Sequence, residues 1–80
     1  MGSTRSGRVT VYLAAGCHLC ERALEVVREV CGEEFELVDI GGDAALEERY
    51  RELIPVVEVD GVEAFTYFVD ADALRRRLDD

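Results

Sequence analysis

Tryptophan is absent from this chain of 80 residues, and proline, methionine and histidine each occur only once. Basic residues are also scarce, at nine against 18 aspartates and glutamates, so the formal net charge is −9. This balance argues against nucleic acids and anionic membrane surfaces as partners, because both are bound through basic patches. The chain also lacks any apolar run near the roughly 18–20 residues that span a bilayer, so we expect a soluble protein.

The length supports one small domain. Hydrophobic residues make up 49% of the chain and charged residues 34%, which is typical of a globular protein rather than a disordered one. Residues 1–7, MGSTRSG, predict a flexible tail, followed by a single domain over residues 8–80. The tail has no hydrophobic segment that could act as a secretory signal. Since the chain has only three cysteines, we expect a cytoplasmic protein, and we expect it to be monomeric.

Hydrophobic periodicity predicts four strands and three helices. Strands rich in β-branched and aromatic residues are predicted at 8–14, 35–40, 56–59 and 62–68. Helices are predicted at 19–31, after Asp43 with Leu46, Tyr50 and Leu53 on one face, and after Asp70 with Leu74 and Leu78 inward. Between the last two strands, Asp60-Gly61 predicts a type I′ hairpin turn.

The resulting order, β-α-β-α-β-β-α, predicts an α/β fold. A long helix between the first two strands implies a parallel pair with a right-handed crossover, and the terminal hairpin adds antiparallel strands to the same sheet. We therefore predict a four-stranded mixed sheet with helices on both faces.

A close cysteine pair, Cys17-His18-Leu19-Cys20, falls between the first strand and the first helix. The start of a helix carries unsatisfied N–H groups and a partial positive charge, which favour a thiolate over a thiol at Cys17. Thiolates are the species that attack disulfides. Cys20 lies one turn further on, near enough to close a disulfide but on the inward side. The pattern therefore predicts a redox-active pair in which Cys17 is the nucleophile and Cys20 resolves the mixed disulfide.

Other interpretations of the pair stay open. A metal or iron–sulfur module would use Cys17 and Cys20, with or without His18, but a structural zinc site needs four ligands and no second pair has suitable spacing. We therefore predict no metal site and no tightly bound cofactor. In a further alternative, the two cysteines are small buried hydrophobic residues without a chemical role. In another, the chain is a non-catalytic interaction domain. The third cysteine, Cys31, lies on the inward side of the first helix and is predicted to be a buried core residue.

The segments VTVYLAAGCHLCERALEVV and IPVVEVDG, with the hairpin and last helix that follow, resemble glutaredoxin-like proteins of the thioredoxin superfamily. The resemblance runs from Arg8 to Leu78 and is strongest to short bacterial glutaredoxin-like domains. It implies a thioredoxin-like fold and thiol–disulfide oxidoreductase activity. The implied substrates are a disulfide-containing protein or a glutathione mixed disulfide, and the implied reductant is glutathione or a reductase.

The resemblance also implies which residues bind the substrate. Ile54-Pro55 would form a cis peptide that faces the cysteine pair, with neighbouring backbone that pairs with the substrate. Asp70 would be a polar anchor at the last helix. Apart from the resemblance, His18, when cationic, would help to stabilise the Cys17 thiolate; the alternative is that His18 is an exposed residue at the helix start with no role. Glutaredoxins carry a Gly-Gly pair before the last helix, whereas this chain has FTYFVD, residues 65–70. Glutathione recognition is therefore left open, with a protein disulfide as the alternative substrate.

Overall fold

The computed structural model describes residues 8–79, so the predicted tail at residues 1–7 lies outside the described residues. Seven elements follow one another in the predicted order: β1 (Val9–Leu13), α1 (His18–Cys31), β2 (Glu36–Asp39), α2 (Ala44–Tyr50), β3 (Val56–Val59), β4 (Val62–Thr66) and α3 (Ala71–Asp79). Within residues 8–79, no helix is long and apolar enough to cross a membrane.

The strands form one mixed sheet in the order β2-β1-β3-β4. β1 pairs in parallel with β2 and antiparallel with β3, and β3 pairs antiparallel with β4. Asp60 and Gly61 both have positive φ, 55° and 82°, which a type I′ turn requires. The predicted parallel pair, the hairpin and the α/β fold class are all confirmed.

Helices cover both faces of the sheet, as predicted. On one face α1 and α3 pack against β1 and β3, with a core that consists of Val9, Val11, Val27, Val57, Val59 and Leu74. On the other face α2 closes a smaller cluster of Ile40, Tyr50 and Val56. The larger core fixes α1 on the sheet, and with it the direction in which the start of this helix points.

Where α2 packs on the sheet, Glu58 on β3 accepts a hydrogen bond from the Tyr12 hydroxyl and another from the Tyr50 hydroxyl, each 3.3 Å long. The two rings stack with their centroids 4.5 Å apart. Burial, followed by the charge of Glu58, raises the pKa of Tyr12 to about 12. Both phenols therefore stay protonated near neutral pH and hold α2 against the sheet through one carboxylate.

The second helix is shorter than predicted. It ends at Tyr50, and the backbone N–H groups of Leu53 and Ile54 both donate to the Tyr50 carbonyl, at 2.8 and 3.1 Å. Leu53 therefore lies in a turn after the helix, although it still packs against the smaller core cluster. The physical reason is the following proline, since the residue before a proline is biased away from helical conformation.

Cys31 also differs from its prediction as a fully buried residue. It is the last residue of α1 and is half-buried, although it packs against the larger core. It lines a small surface cleft together with Arg8 and Leu78. Because the helix ends there, no further turn covers its side chain.

Candidate active site

Cys17 occupies the N-cap position of α1. Its backbone is extended, with φ −97° and ψ 111°, and Gly16 at φ 80° provides the left-handed turn between β1 and the helix. The Cys17 Sγ accepts a hydrogen bond from the backbone N–H of Cys20 at 3.1 Å. One of the free N–H groups of the first helical turn therefore points at this sulfur, and Cys17 as a residue is half-buried.

Cys20 lies in a different environment, although it is only one turn away. It is 2% exposed and belongs to the core side of α1. Burial, followed by a hydrogen bond with Cys17, raises the pKa of the Cys20 thiol to about 12. Cys20 therefore stays a thiol near neutral pH, while Cys17 is the accessible sulfur. This difference supports the predicted roles of the two residues, which stay a prediction.

His18 is the first residue of α1 and its side chain is exposed. Within residues 8–79, no hydrogen bond or salt bridge ties its ring to another residue. The imidazole is thus free to turn toward a substrate or toward Cys17, and its effect on the thiolate stays a prediction.

The Ile54–Pro55 peptide bond is cis, as the resemblance implied. The Pro55 side chain is buried, and its carbonyl accepts the backbone N–H of Tyr67 at 3.0 Å. The N–H of Ile54 is already donated to Tyr50. Any backbone pairing of Ile54 with a substrate would therefore have to use its carbonyl oxygen, and that role stays a prediction.

Asp70 caps the last helix. Its Oδ1 accepts the backbone N–H groups of Asp72 and Ala73 at 2.9 and 3.3 Å, which confirms the predicted N-cap. The residue is exposed. Among residues 8–79, no hydrogen bond reaches its second carboxylate oxygen, and the role of Asp70 as a substrate anchor stays a prediction.

The fourth strand is shorter than the predicted 62–68 and ends at Thr66, so residues 67–70 form a connecting segment between β4 and α3. Tyr67 has φ 67°, and the N–H of Phe68 donates to the Thr66 carbonyl at 2.7 Å, so residues 66–68 form a γ-turn with Tyr67 at its centre. Such turns are rare and strained, at about 1–3 kcal/mol. The Tyr67 hydroxyl also donates to the Glu52 carbonyl at 2.8 Å. Nothing in the sequence signals this conformation, because glycine is the residue that usually marks it.

The cysteine pair alone does not complete a metal site. Among residues 8–79, no three His, Cys, Asp or Glu side chains are grouped to hold a metal ion. Cys17 and Cys20 supply two sulfur ligands, whereas a structural zinc site takes four ligands. The remaining ligands would have to come from outside this part of the chain.

The mixed sheet, with a cysteine pair at the start of the helix after β1, defines a thioredoxin-like α/β protein. A family model described as Glutaredoxin-like domain matches residues 8–79, which is nearly the whole chain. The chain therefore belongs to the glutaredoxin-like family of the thioredoxin superfamily.

Solved structures agree with this assignment. The X-ray structure of the protein XcR50 from X. campestris is 35% identical, with 89% of this chain and 95% of that chain covered and a TM-score of 0.76. The solution NMR structure of protein Ne2328 from Nitrosomonas europaea is 32% identical, with 88% of each chain covered and a TM-score of 0.65. Oxidized glutaredoxin 2 from Chlamydomonas reinhardtii shares the fold at 18% identity, with 98% of this chain and 77% of that chain covered and a TM-score of 0.58. A comparison with curated proteins found no match.

Proposed function

We propose that this protein is a thiol–disulfide oxidoreductase that uses Cys17 as the nucleophile and Cys20 as the resolving thiol. The observation that carries the proposal is the contrast between the two sulfurs: Cys17 is accessible and accepts an N–H at the start of α1, and Cys20 is 2% exposed. Membership of the glutaredoxin-like family supports redox chemistry in general.

The reaction begins with attack of the Cys17 thiolate on one sulfur of the substrate disulfide. A Cys17–substrate S–S bond forms, the substrate S–S bond breaks, and the first substrate sulfur leaves as a thiolate that takes up a proton from water. The backbone N–H of Cys20 stabilises the negative charge on Cys17 before the attack.

In the second step the Cys20 thiol loses its proton and attacks the Sγ of Cys17. The Cys17–Cys20 disulfide forms and the second substrate sulfur leaves, so that the substrate has gained two electrons and the protein has lost two. Burial keeps Cys20 protonated in the resting state, so deprotonation is coupled to this step rather than preceding it. An external thiol, either glutathione or a dithiol reductase, returns the pair to the reduced form.

The substrate is a protein disulfide or a glutathione mixed disulfide, and the site needs no tightly bound cofactor. We place the activity in the cytoplasm, where a close cysteine pair is more often catalytic than structural, and we propose that the protein acts as a monomer.

Trapping of the intermediate tests the assigned roles. The Cys20→Ser variant, mixed with a disulfide substrate, should accumulate a covalent adduct at Cys17, which mass spectrometry of proteolytic fragments locates. Cys17→Ser should form no adduct, and Cys31→Ser is the matched control that should behave like the wild-type chain. An adduct at Cys31, or full disulfide-reducing activity in Cys17→Ser, would overturn the proposal.

A further inference from the structure

A surface groove of about 250 Å³ lies between α1 and the segment that precedes α3, and at its start is Leu19, the residue before Cys20. Its lining residues are Leu19, Arg22, Ala23, Val26, Tyr67, Phe68 and Val69. Four of these residues come from α1 and share one face of the helix. Arg22, Ala23 and Val26 lie three, four and seven positions after Leu19. At about 1.5 Å per residue, the groove follows the helix for roughly 10 Å. It starts at Leu19, which stands between the two cysteines in the sequence, and neither cysteine is among its lining residues.

The opposite wall of the groove is held in place by three hydrogen bonds. The Tyr67 N–H donates to Pro55, the Phe68 N–H to Thr66, and the Tyr67 hydroxyl to Glu52. These bonds fix the left-handed γ-turn at Tyr67 and connect this wall of the groove to the backbone of Glu52 and Pro55. Strained backbone of this kind persists where the surrounding structure supports it and is concentrated at functional sites.

The wall presents an apolar side chain to solvent. Phe68 is 73% exposed, the largest exposed fraction among the large hydrophobic residues in the described part of the chain. A rigid aromatic ring beside an apolar groove favours contact with another apolar side chain.

The charge at the groove is opposite to that of the chain as a whole. Arg22 lies at the groove, and no salt bridge within 4.0 Å joins it to another residue of the part that the structure describes. The net charge of the whole chain is −9. A carboxylate bound at Arg22 would therefore neutralise a positive charge that no residue among 8–79 pairs within 4.0 Å.

We propose that this groove binds the segment next to the reacting cysteine of a protein disulfide, with a large apolar side chain between α1 and Phe68 and a carboxylate at Arg22. The inference rests on the proposed function and adds the class of substrate. A groove of roughly 10 Å accommodates about three residues of extended chain at ~3.3 Å each. Glutathione offers carboxylates but no large apolar side chain, so the groove prefers a protein over glutathione.

Matched peptides test the preference. Each peptide carries one cysteine in a mixed disulfide with 5-thio-2-nitrobenzoate, and the absorbance of the released thiolate gives the rate of attack by Cys17 in the Cys20→Ser background. One series has only glycines around the cysteine, a second has a phenylalanine near it, and a third adds glutamate or lysine beyond the phenylalanine. A small aliphatic disulfide without a peptide reports whether the thiolate reacts at all.

We expect the phenylalanine series to react about tenfold faster than the glycine series. In Phe68→Ala this ratio should fall to about one, whereas Val62→Ala, which shortens an apolar side chain on β4 that is 58% exposed and away from the groove, should leave it unchanged. Glutamate should be favoured over lysine, and Arg22→Glu should reverse that order.

The outcomes separate the two proposals. Equal rates for the phenylalanine and glycine series, together with rapid reaction of the small disulfide, would overturn the groove and leave the oxidoreductase. A preference for phenylalanine that survives in Phe68→Ala would overturn the groove as well. Failure of every disulfide to react would overturn both.

Discussion

Helix α1 has a cysteine near each end, and the two ends differ in what they do to a thiol. At the start, Cys17 is accessible and its sulfur accepts a backbone N–H at 3.1 Å. At the other end, burial followed by the charge of Glu34 raises the pKa of Cys31. A helix has partial positive charge at its start and partial negative charge at its end. The same side chain, half-buried in both places, is therefore favoured as a nucleophile at one end and as an inert thiol at the other.

The largest expected effect comes from removal of the thiol at the start of α1, and removal of the thiol at its end is the control. Cys17→Ser should abolish the fast phase of alkylation by iodoacetamide at neutral pH, because a hydroxyl cannot replace a thiolate as the nucleophile. Cys31→Ser should leave that phase intact. Mass spectrometry of the labelled fragments checks both variants, and a fast phase that disappears with Cys31 instead would reverse the comparison.

The C-terminal half of α1 should contribute mainly to stability. Leu74 on α3 is fully buried in the larger core, which also contains Val27 from this half of the helix. Leu74→Ala should lower the free energy of unfolding by about 2–5 kcal/mol, since it removes apolar contacts and leaves a cavity. Urea denaturation measures the loss, with Arg76→Ala on the exposed side of α3 as the control. A loss as small as that of the control would contradict the described packing.

The raised pKa of Cys20 predicts how stability depends on pH. In the folded protein its thiol resists ionisation up to about 12, whereas in the unfolded chain it ionises near 9.0. The contribution of Cys20 to the free energy of unfolding is therefore fully present below pH 9 and is lost as the pH rises towards 12. The reduced protein should therefore lose stability as the pH rises through this window, because the unfolded chain releases the Cys20 proton before the folded protein does. Cys20→Ser should show a shallower decline in urea titrations at several pH values, and parallel curves would show that Cys20 is not desolvated.

The smallest expected effect concerns the charge next to Cys17. His18→Asp places a carboxylate at the first residue of α1, where it competes with the thiolate for the N–H groups and repels its charge. We expect the alkylation of Cys17 to slow by roughly two- to fivefold, equivalent to about 0.3–1 kcal/mol. His18→Asn is the neutral control. Added salt should restore part of the rate, and an unchanged rate at low salt would mean that residue 18 does not influence the thiolate.

Much of the fold was predictable because it depends on local patterns. The apolar positions of α1, the Asp60-Gly61 turn and the Asp70 cap each follow from a sequence signal that acts within a few residues. The cis bond at Pro55 came from the resemblance, because only about 5–6% of bonds before proline are cis.

The parts that could not be predicted depend on contacts between distant segments. The left-handed conformation of Tyr67 is held by bonds to Glu52 and Pro55, and a tyrosine carries no signal for positive φ. The two phenols that donate to Glu58 come from separate elements. For the same reason the groove beside Leu19 appears only when α1 and the segment before α3 are brought together.

The most direct test of the account is a titration of the purified protein in graded glutathione redox buffers, with free thiols trapped and counted by mass. The account predicts that the cysteines at the start of α1, Cys17 and Cys20, lose their thiols together and reversibly, while Cys31 stays reduced. It also predicts that Cys17→Ser removes the transition. No reversible loss of thiols over the accessible range of potentials, or a disulfide that includes Cys31, would contradict the claim that the start of α1 is the redox centre.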